Sequence, residues 1–135
     1  MDLIEKAKAE VVNRHSFFVE WFTGRAPEAE MEVSAQAFAA DMRMVEPDGS
    51  MIDASQVKAM LRGARGKRSE DFEIRVELIE ARLVGSEAAL VVYDEHQVID
   101  GAKTARRSSA LFSADKDAPE GVVWRHLQET WITED

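Results

Sequence analysis

A stripe of apolar residues broken by one histidine, Ile4, Ala7, Val11, His15, Phe18 and Phe22, recurs in steps of three and four. At 100° per residue these positions fall within about 80° of one another, which predicts an amphipathic helix over 2–23. Gly24 stops it and Pro27 stands just beyond. A short second helical piece is expected over 28–37. From Phe38 to Glu46 the period changes to two, with Phe38, Ala40, Met42 and Met44 alternating against their neighbours, a strand pattern. Pro47-Asp48-Gly49 has the residue chemistry of a turn. Asp53 or Ser55 can cap a third helix with Val57, Met60 and Leu61 as its stripe, ended by Gly63 and Gly66.

Four strand patterns follow, Phe72–Leu83, Ala88–Ile99, Ala102–Ser113 and Val122–Ile132, joined by short connections. Asp100-Gly101 between two of them is a strong hairpin signal. Helices first and a meander of strands afterwards is an α+β order. Strands this long twist and curl. The expected architecture is therefore N-terminal helices packed on a curved, mostly antiparallel sheet, cone-shaped, with an internal pocket. One domain over 1–135 accounts for the whole pattern.

Turn chemistry predicts the register. A two-residue turn at Asp100-Gly101 sets Ile99 against Ala102, Glu95 against Arg106 and Tyr93 against Ser108. Pairing Leu83 with Ala88 sets Val76 against Glu95 and Leu78 against Tyr93. A last hairpin pairing Phe112 with Val122 or Trp124 then puts Trp124, His126 and Gln128 on the Tyr93 face. That face mixes apolar walls with a few polar groups, as ligand pockets do, and is taken as the concave side. The opposite face carries Arg75, Glu77, Val92, Asp94, Arg107, Leu111, Arg125, Leu127, Glu129 and Trp131, a mixture suited to packing on a second subunit. A bulge would exchange the faces locally.

Composition narrows the function classes. At 135 residues, with 45% hydrophobic and 32% charged, the chain has material for a core without staples. It has no cysteine, which excludes disulfides, thiolate metal sites and cysteine nucleophiles. A net charge of -9 argues against a nucleic-acid partner. No apolar run approaches the roughly 20 residues of a membrane span, and the acidic start is unlike a signal peptide. A cytoplasmic protein with no membrane partner is expected. No phosphate loop, dinucleotide fingerprint or nucleophile elbow is present, and no cofactor is expected.

Several segments together carry a family likeness: Phe17, Phe18, Trp21 and Phe22 late in the first helix, then Val45-Glu46-Pro47-Asp48-Gly49. Tyr93-Asp94-Glu95, Arg106-Arg107-Ser108-Ser109-Ala110-Leu111-Phe112 and the closing Trp124-Arg125-His126-Leu127-Gln128-Glu129-Thr130-Trp131 complete it. Over nearly its whole length the chain resembles the nuclear transport factor 2-like superfamily, near SnoaL-like cyclases and ketosteroid isomerases. The resemblance implies a cystatin-like cone, a homodimer through the sheet, and an apolar cavity. It implies no single activity, since isomerases, dehydratases, cyclases and plain binders share this fold. Glu46 stands where the isomerases carry a catalytic Asp, with Asp41 and Pro47 at matching spacing. The isomerases' oxyanion partners have no counterpart among the residues expected to face inward.

The candidates follow. Glu46 and His126 are the candidate proton carriers, since a carboxylate beside an apolar cavity has a raised pKa. The candidate ligand contacts are His15, Trp21, Met42, Tyr93, Glu95, Arg106, Ser108, Trp124, His126 and Gln128. Glu95 is expected to ion-pair with Arg106 across the strands. A metal on His15, His126 and Glu95 lacks paired spacing and is not expected. The function expected is a pocket for an unidentified small molecule. Proton-transfer catalysis and an accessory interaction module are the alternatives.

Overall fold

The computed structural model describes residues 1–133; the last two residues of the expected 1–135 domain lie outside them. Helix α1 spans Leu3–Phe22, started by Asp2, whose carboxylate accepts from Glu5 N at 2.8 Å. Gly24, at φ +81°, closes it. A Cβ built on Gly24 would stand 3.4 Å from Gly66 Cα, so the two loops meet within van der Waals reach, and it is the positive φ at both positions that favours glycine. There Gly66 N donates to Trp21 O and Arg68 N to Phe22 O, stitching the tail of the third helix to the end of α1.

Short α2 (Ala29–Ala35) leads into β1 (Phe38–Val45). The turn after it holds, with Glu46 N donating to Ser50 O at 2.8 Å. It folds back into β2 (Met51–Asp53), a three-residue strand too short to show a period in the sequence. Helix α3 (Ala54–Gly63) starts at a full capping box in which Asp53 and Gln56 exchange side-chain and backbone bonds. Replacing Asp53 by Ala is expected to cost about 1 kcal/mol in urea unfolding.

Strands β3 (Glu73–Val84), β4 (Ala88–Ile99), β5 (Ala102–Ala114) and β6 (Val122–Trp131) complete a six-stranded sheet of order β2-β1-β6-β5-β4-β3. Among the described residues, β1 and β6 are the only parallel neighbours. Asp100 (φ 50) and Gly101 (φ 82) both take the left-handed conformation, as a two-residue hairpin turn requires, and Ile99 faces Ala102. Tyr93 faces Ser108 and Glu95 faces Arg106.

Two bulges alter the expected register. On β3 the turn pairs Val84, not Leu83, with Ala88; the extra residue Ile79 then restores Val76 against Glu95 and Leu78 against Tyr93. On β6 the register shifts between Phe112–Trp124 and Leu111–His126, leaving Arg125 as the extra residue. Beyond it every side chain changes face. His126 and Gln128 therefore lie on the outer face, and Leu127, Glu129 and Trp131, expected outside, join Ala110, Ser108 and Arg106 within. The core lies between α1 and the inner face, with Ala7, Val11, Met42, Val91, Phe112 and Trp124 buried in it.

Candidate functional site

Helices α1 and α3 do not fill the hollow of the sheet. A cavity of about 280 Å³ remains, at the small end of ligand pockets. Phe18 and Phe22 from α1, Phe38, Met42 and Met44 from β1, Val57, Met60 and Leu61 from α3, and Phe72 give it apolar walls. Its polar end is made by His15, Tyr93, Glu95, Gln97, Arg106 and Glu129, while Glu46 and Arg68 also line it.

The polar end is built around an imidazole between two acceptors. His15 Nδ1 lies 2.7 Å from Val11 O, which can only accept, so Nδ1 carries a proton. Its Nε2 lies 3.0 Å from Glu95 Oε1. With Glu95 ionised, Nε2 must carry a proton too, and the pair is imidazolium and carboxylate. Burial pushes the Glu95 carboxyl up, but the His15 bond and charge, the Gln97 amide and the Arg106 charge outweigh it and hold it at about 2. Burial likewise opposes charge on His15, and the Glu95 bond and charge, the Val11 carbonyl and Glu129 together raise its pKa. Phe18 and Tyr93 meet the imidazole edge-on, 5.4 and 5.2 Å between ring centres.

Arg106 stands beside this pair but does not bond Glu95. Its Nη1 donates to Glu129 Oε1 at 3.4 Å, and its guanidinium lies over the Trp131 ring at 4.7 Å. The expected Glu95–Arg106 ion pair is thus replaced by two pairs, because His15 reaches Glu95 first and the bulge at Arg125 brings Glu129 inside. Burial raises the Glu129 carboxyl, Arg106 opposes that, and Glu95 adds to it. Tyr93 is raised well above the usual phenol range by burial and then by the two carboxylates, with Ser108 and Arg106 opposing. It is a neutral phenol.

Of the expected contacts, His15, Met42, Tyr93, Glu95, Arg106 and Trp124 line the cavity together, and so does Glu46. Ser108 is wholly buried opposite Tyr93, behind the lining. Trp21 is buried away from it, its Nε1 donating to Leu61 O at 2.6 Å and its ring under Arg65. His126 and Gln128 are outside, so His15, Glu95 and His126 do not converge. Sequence reasoning missed Gln97 and Glu129. Gln97 was legible as the next inward position after Glu95; Glu129 was hidden by the bulge.

It also missed a buried network behind the cavity. Arg14 holds both Glu10 oxygens, at 2.8 and 2.9 Å, and donates to Ser34 Oγ at 2.7 Å. Trp124 Nε1 donates to Glu10 Oε2 at 2.8 Å, fixing one wall of the pocket. On the outer face, ligand atoms of Glu77, Asp94 and His96 lie within 4.8 Å of one another. Arg107 already takes both Asp94 oxygens, at 2.8 and 3.0 Å, so a cation there would have to displace it.

Helices on one side of a curled sheet, closing over a cavity with a buried polar end, define a cystatin-like cone of the nuclear transport factor 2-like class. Within that class the chain belongs to the family described as sucrose-6-phosphate phosphohydrolase C-terminal, whose model matches residues 7–133. Among solved structures it is similar to an NTF-2-like protein of unknown function from Pseudomonas aeruginosa, at 25% identity and TM-score 0.79, covering 95% of this chain and 99% of that one. A CaMKII hub from S. rosetta aligns at 9% identity and TM-score 0.77, over 98% of each chain. A ketosteroid isomerase-like protein from Erwinia carotovora atroseptica aligns at 10% identity and TM-score 0.69, over 97% of each. The last two likenesses concern the fold alone. No curated protein matches. No helix of the described residues is long and apolar enough to cross a membrane.

Proposed function

We propose that the protein binds a small molecule in the cavity beneath α1, and that 1–135 acts as one pocket-bearing domain. The observation that carries this reading is a 280 Å³ hollow whose apolar walls end in a cluster of buried polar groups. A core selected for packing alone gains nothing from ionic groups at the edge of an unfilled space.

Indole, a neutral aromatic small enough for the space, tests it. At ten times its dissociation constant indole is expected to stabilise the native protein by about 1.4 kcal/mol, seen as a rise in Tm. In Met42→Trp, which fills the cavity with a ring of its own, that rise is expected to vanish. Equal shifts in both proteins would place the binding elsewhere.

A second reading, proton transfer on the bound molecule, is supported by Glu46, whose side chain lines the cavity at the end of β1. If Glu46 carries the proton, Glu46→Gln abolishes turnover of an enolisable ketone while leaving its binding intact. Unchanged turnover in that variant removes Glu46 from the chemistry.

The same reading places a second copy on the outer sheet face. Val92 and Leu111 stand there only half-buried, beside Asp94 and Arg107, whose charges are already paired with each other. Sedimentation equilibrium is expected to show a dimer that Leu111→Glu converts to monomer. A monomeric native protein would contradict the pairing.

A further inference from the structure

The polar end of the cavity carries more hydrogen-bond donors than the chain uses. Among the described residues, Tyr93 Oη, Ser108 Oγ and Arg106 Nε find no hydrogen-bond partner. Both hydroxyl residues are 0% exposed. Buried polar atoms are ordinarily hydrogen-bonded, so three together in one place call for an explanation. The two hydroxyls, on facing positions of β4 and β5, can spend at most one hydrogen on each other. At least one hydroxyl hydrogen and the Arg106 Nε–H then remain to be given.

The charges at this end are already matched. His15 takes Glu95 at 3.0 Å and Arg106 takes Glu129 at 3.4 Å, two cations for two carboxylates. A ligand carboxylate or phosphate would come in here as a third anion against Glu95 and Glu129, whose facing cations His15 and Arg106 are already taken; Arg68 lines the cavity from the loop after α3. An ammonium ligand would bring more donors and leave the Tyr93 hydroxyl and the Arg106 Nε–H still without an acceptor. What fits is an oxygen that accepts without carrying charge.

The rest of the space sets the remainder of the molecule. Its walls are aromatic and thioether groups, among them Phe18, Phe38 and Trp124. A volume of 280 Å³ holds on the order of ten heavy atoms, taking about 30 Å³ for each water-sized unit.

Resting on the small-molecule reading above, we infer that the natural ligand is a small uncharged molecule, mainly aromatic or alicyclic, that presents a neutral oxygen acceptor to Tyr93 and Arg106, the two unsatisfied donors that line the cavity. Tyr93 is then a specificity-determining residue, and Ser108, facing it from β5 behind the lining, is its positioning residue. The Tyr93 Oη and Arg106 Nε donors find no acceptor among the described residues and gain one when the right ligand enters, which turns their unmet hydrogen bonds into discrimination. Ligands without the acceptor leave them unpaired.

Three matched probes test this by isothermal titration calorimetry on the native protein: 2-acetylnaphthalene, 2-ethylnaphthalene and 2-naphthoate. They share a ring system and differ in offering a neutral acceptor, none, and an anion. 2-Acetylnaphthalene is expected to bind about 5–10-fold more tightly than 2-ethylnaphthalene, the range one net hydrogen bond supplies, and 2-naphthoate more weakly than either. In Tyr93→Phe, and independently in Ser108→Ala, the ketone's advantage is expected to shrink toward unity while 2-ethylnaphthalene binding holds. Two variants guard against one failing to fold. If the ethyl and acetyl compounds bind equally to native protein, the ligand class is wrong although the pocket reading stands. If naphthoate binds most tightly, the ligand is an anion and the inference is overturned. If no probe binds, the pocket reading falls and takes this inference with it.

Discussion

Glu10→Ala is expected to lower the unfolding free energy by about 3–5 kcal/mol in urea titrations, the usual loss when one partner of a buried pair is removed. Glu10 is 0% exposed and accepts two bonds from Arg14 and one from Trp124. Truncation leaves a guanidinium, itself 5% exposed, with Ser34 as its remaining partner, and strips the indole N–H of its acceptor. Burial holds the Glu10 carboxyl above its usual range even though Arg14 and Trp124 oppose the shift. The paired arrangement is therefore costly to desolvate and costlier to break. Replacing both partners, Glu10→Leu with Arg14→Met, is expected to recover most of the loss, because no charge is then stranded. A double variant as unstable as the sum of the two single changes would show that the pair contributes nothing as a pair.

His15→Leu is the second large effect, again about 3–5 kcal/mol, since it strands the Glu95 carboxylate at 5% exposure. This loss depends on pH in a way the Glu10 loss does not share. The folded pKa of His15 lies above 6.5, so the stability it contributes is complete below that value and fades as pH rises through the folded pKa. Glu95 is held at about 2 against an ordinary 4.5, so its contribution is complete above 4.5 and fades as pH falls toward 2. The penalty of His15→Leu is therefore expected to peak between about pH 4.5 and 6.5 and to shrink by pH 9. Urea unfolding of both proteins at pH 5.5 and pH 9 measures it. A penalty equal at both would mean that His15 is neutral throughout.

The sequence made the hairpin at Asp100-Gly101 legible, and with it every pairing between β4 and β5, because only residues tolerant of positive φ close so tight a turn. It made His15 legible as inward-facing, since helical period alone sets its face. Residues beyond Arg125 were misassigned for one physical reason. Alternation reports a residue's face only while no residue is inserted, and a surface arginine that opposes nothing looks like any other in the chain. That single insertion moved His126 and Gln128 out and Glu129 in, and thereby replaced the expected Glu95–Arg106 pair. Glu10 and Arg14 were passed over because an i, i+4 ion pair on a helix is ordinarily a solvated one. Their burial depends on Ser34 and Trp124, which arrive from other elements.

The three histidines supply the most direct test of the pocket, because His15 lies inside it while His96 and His126 lie on the other face of the sheet. Their imidazole signals can be followed by heteronuclear NMR as 2-acetylnaphthalene is added. The His15 signals are expected to shift and saturate with the other two unmoved. Movement of His126 or His96 with His15 at rest would put the ligand on the outer face and contradict the account.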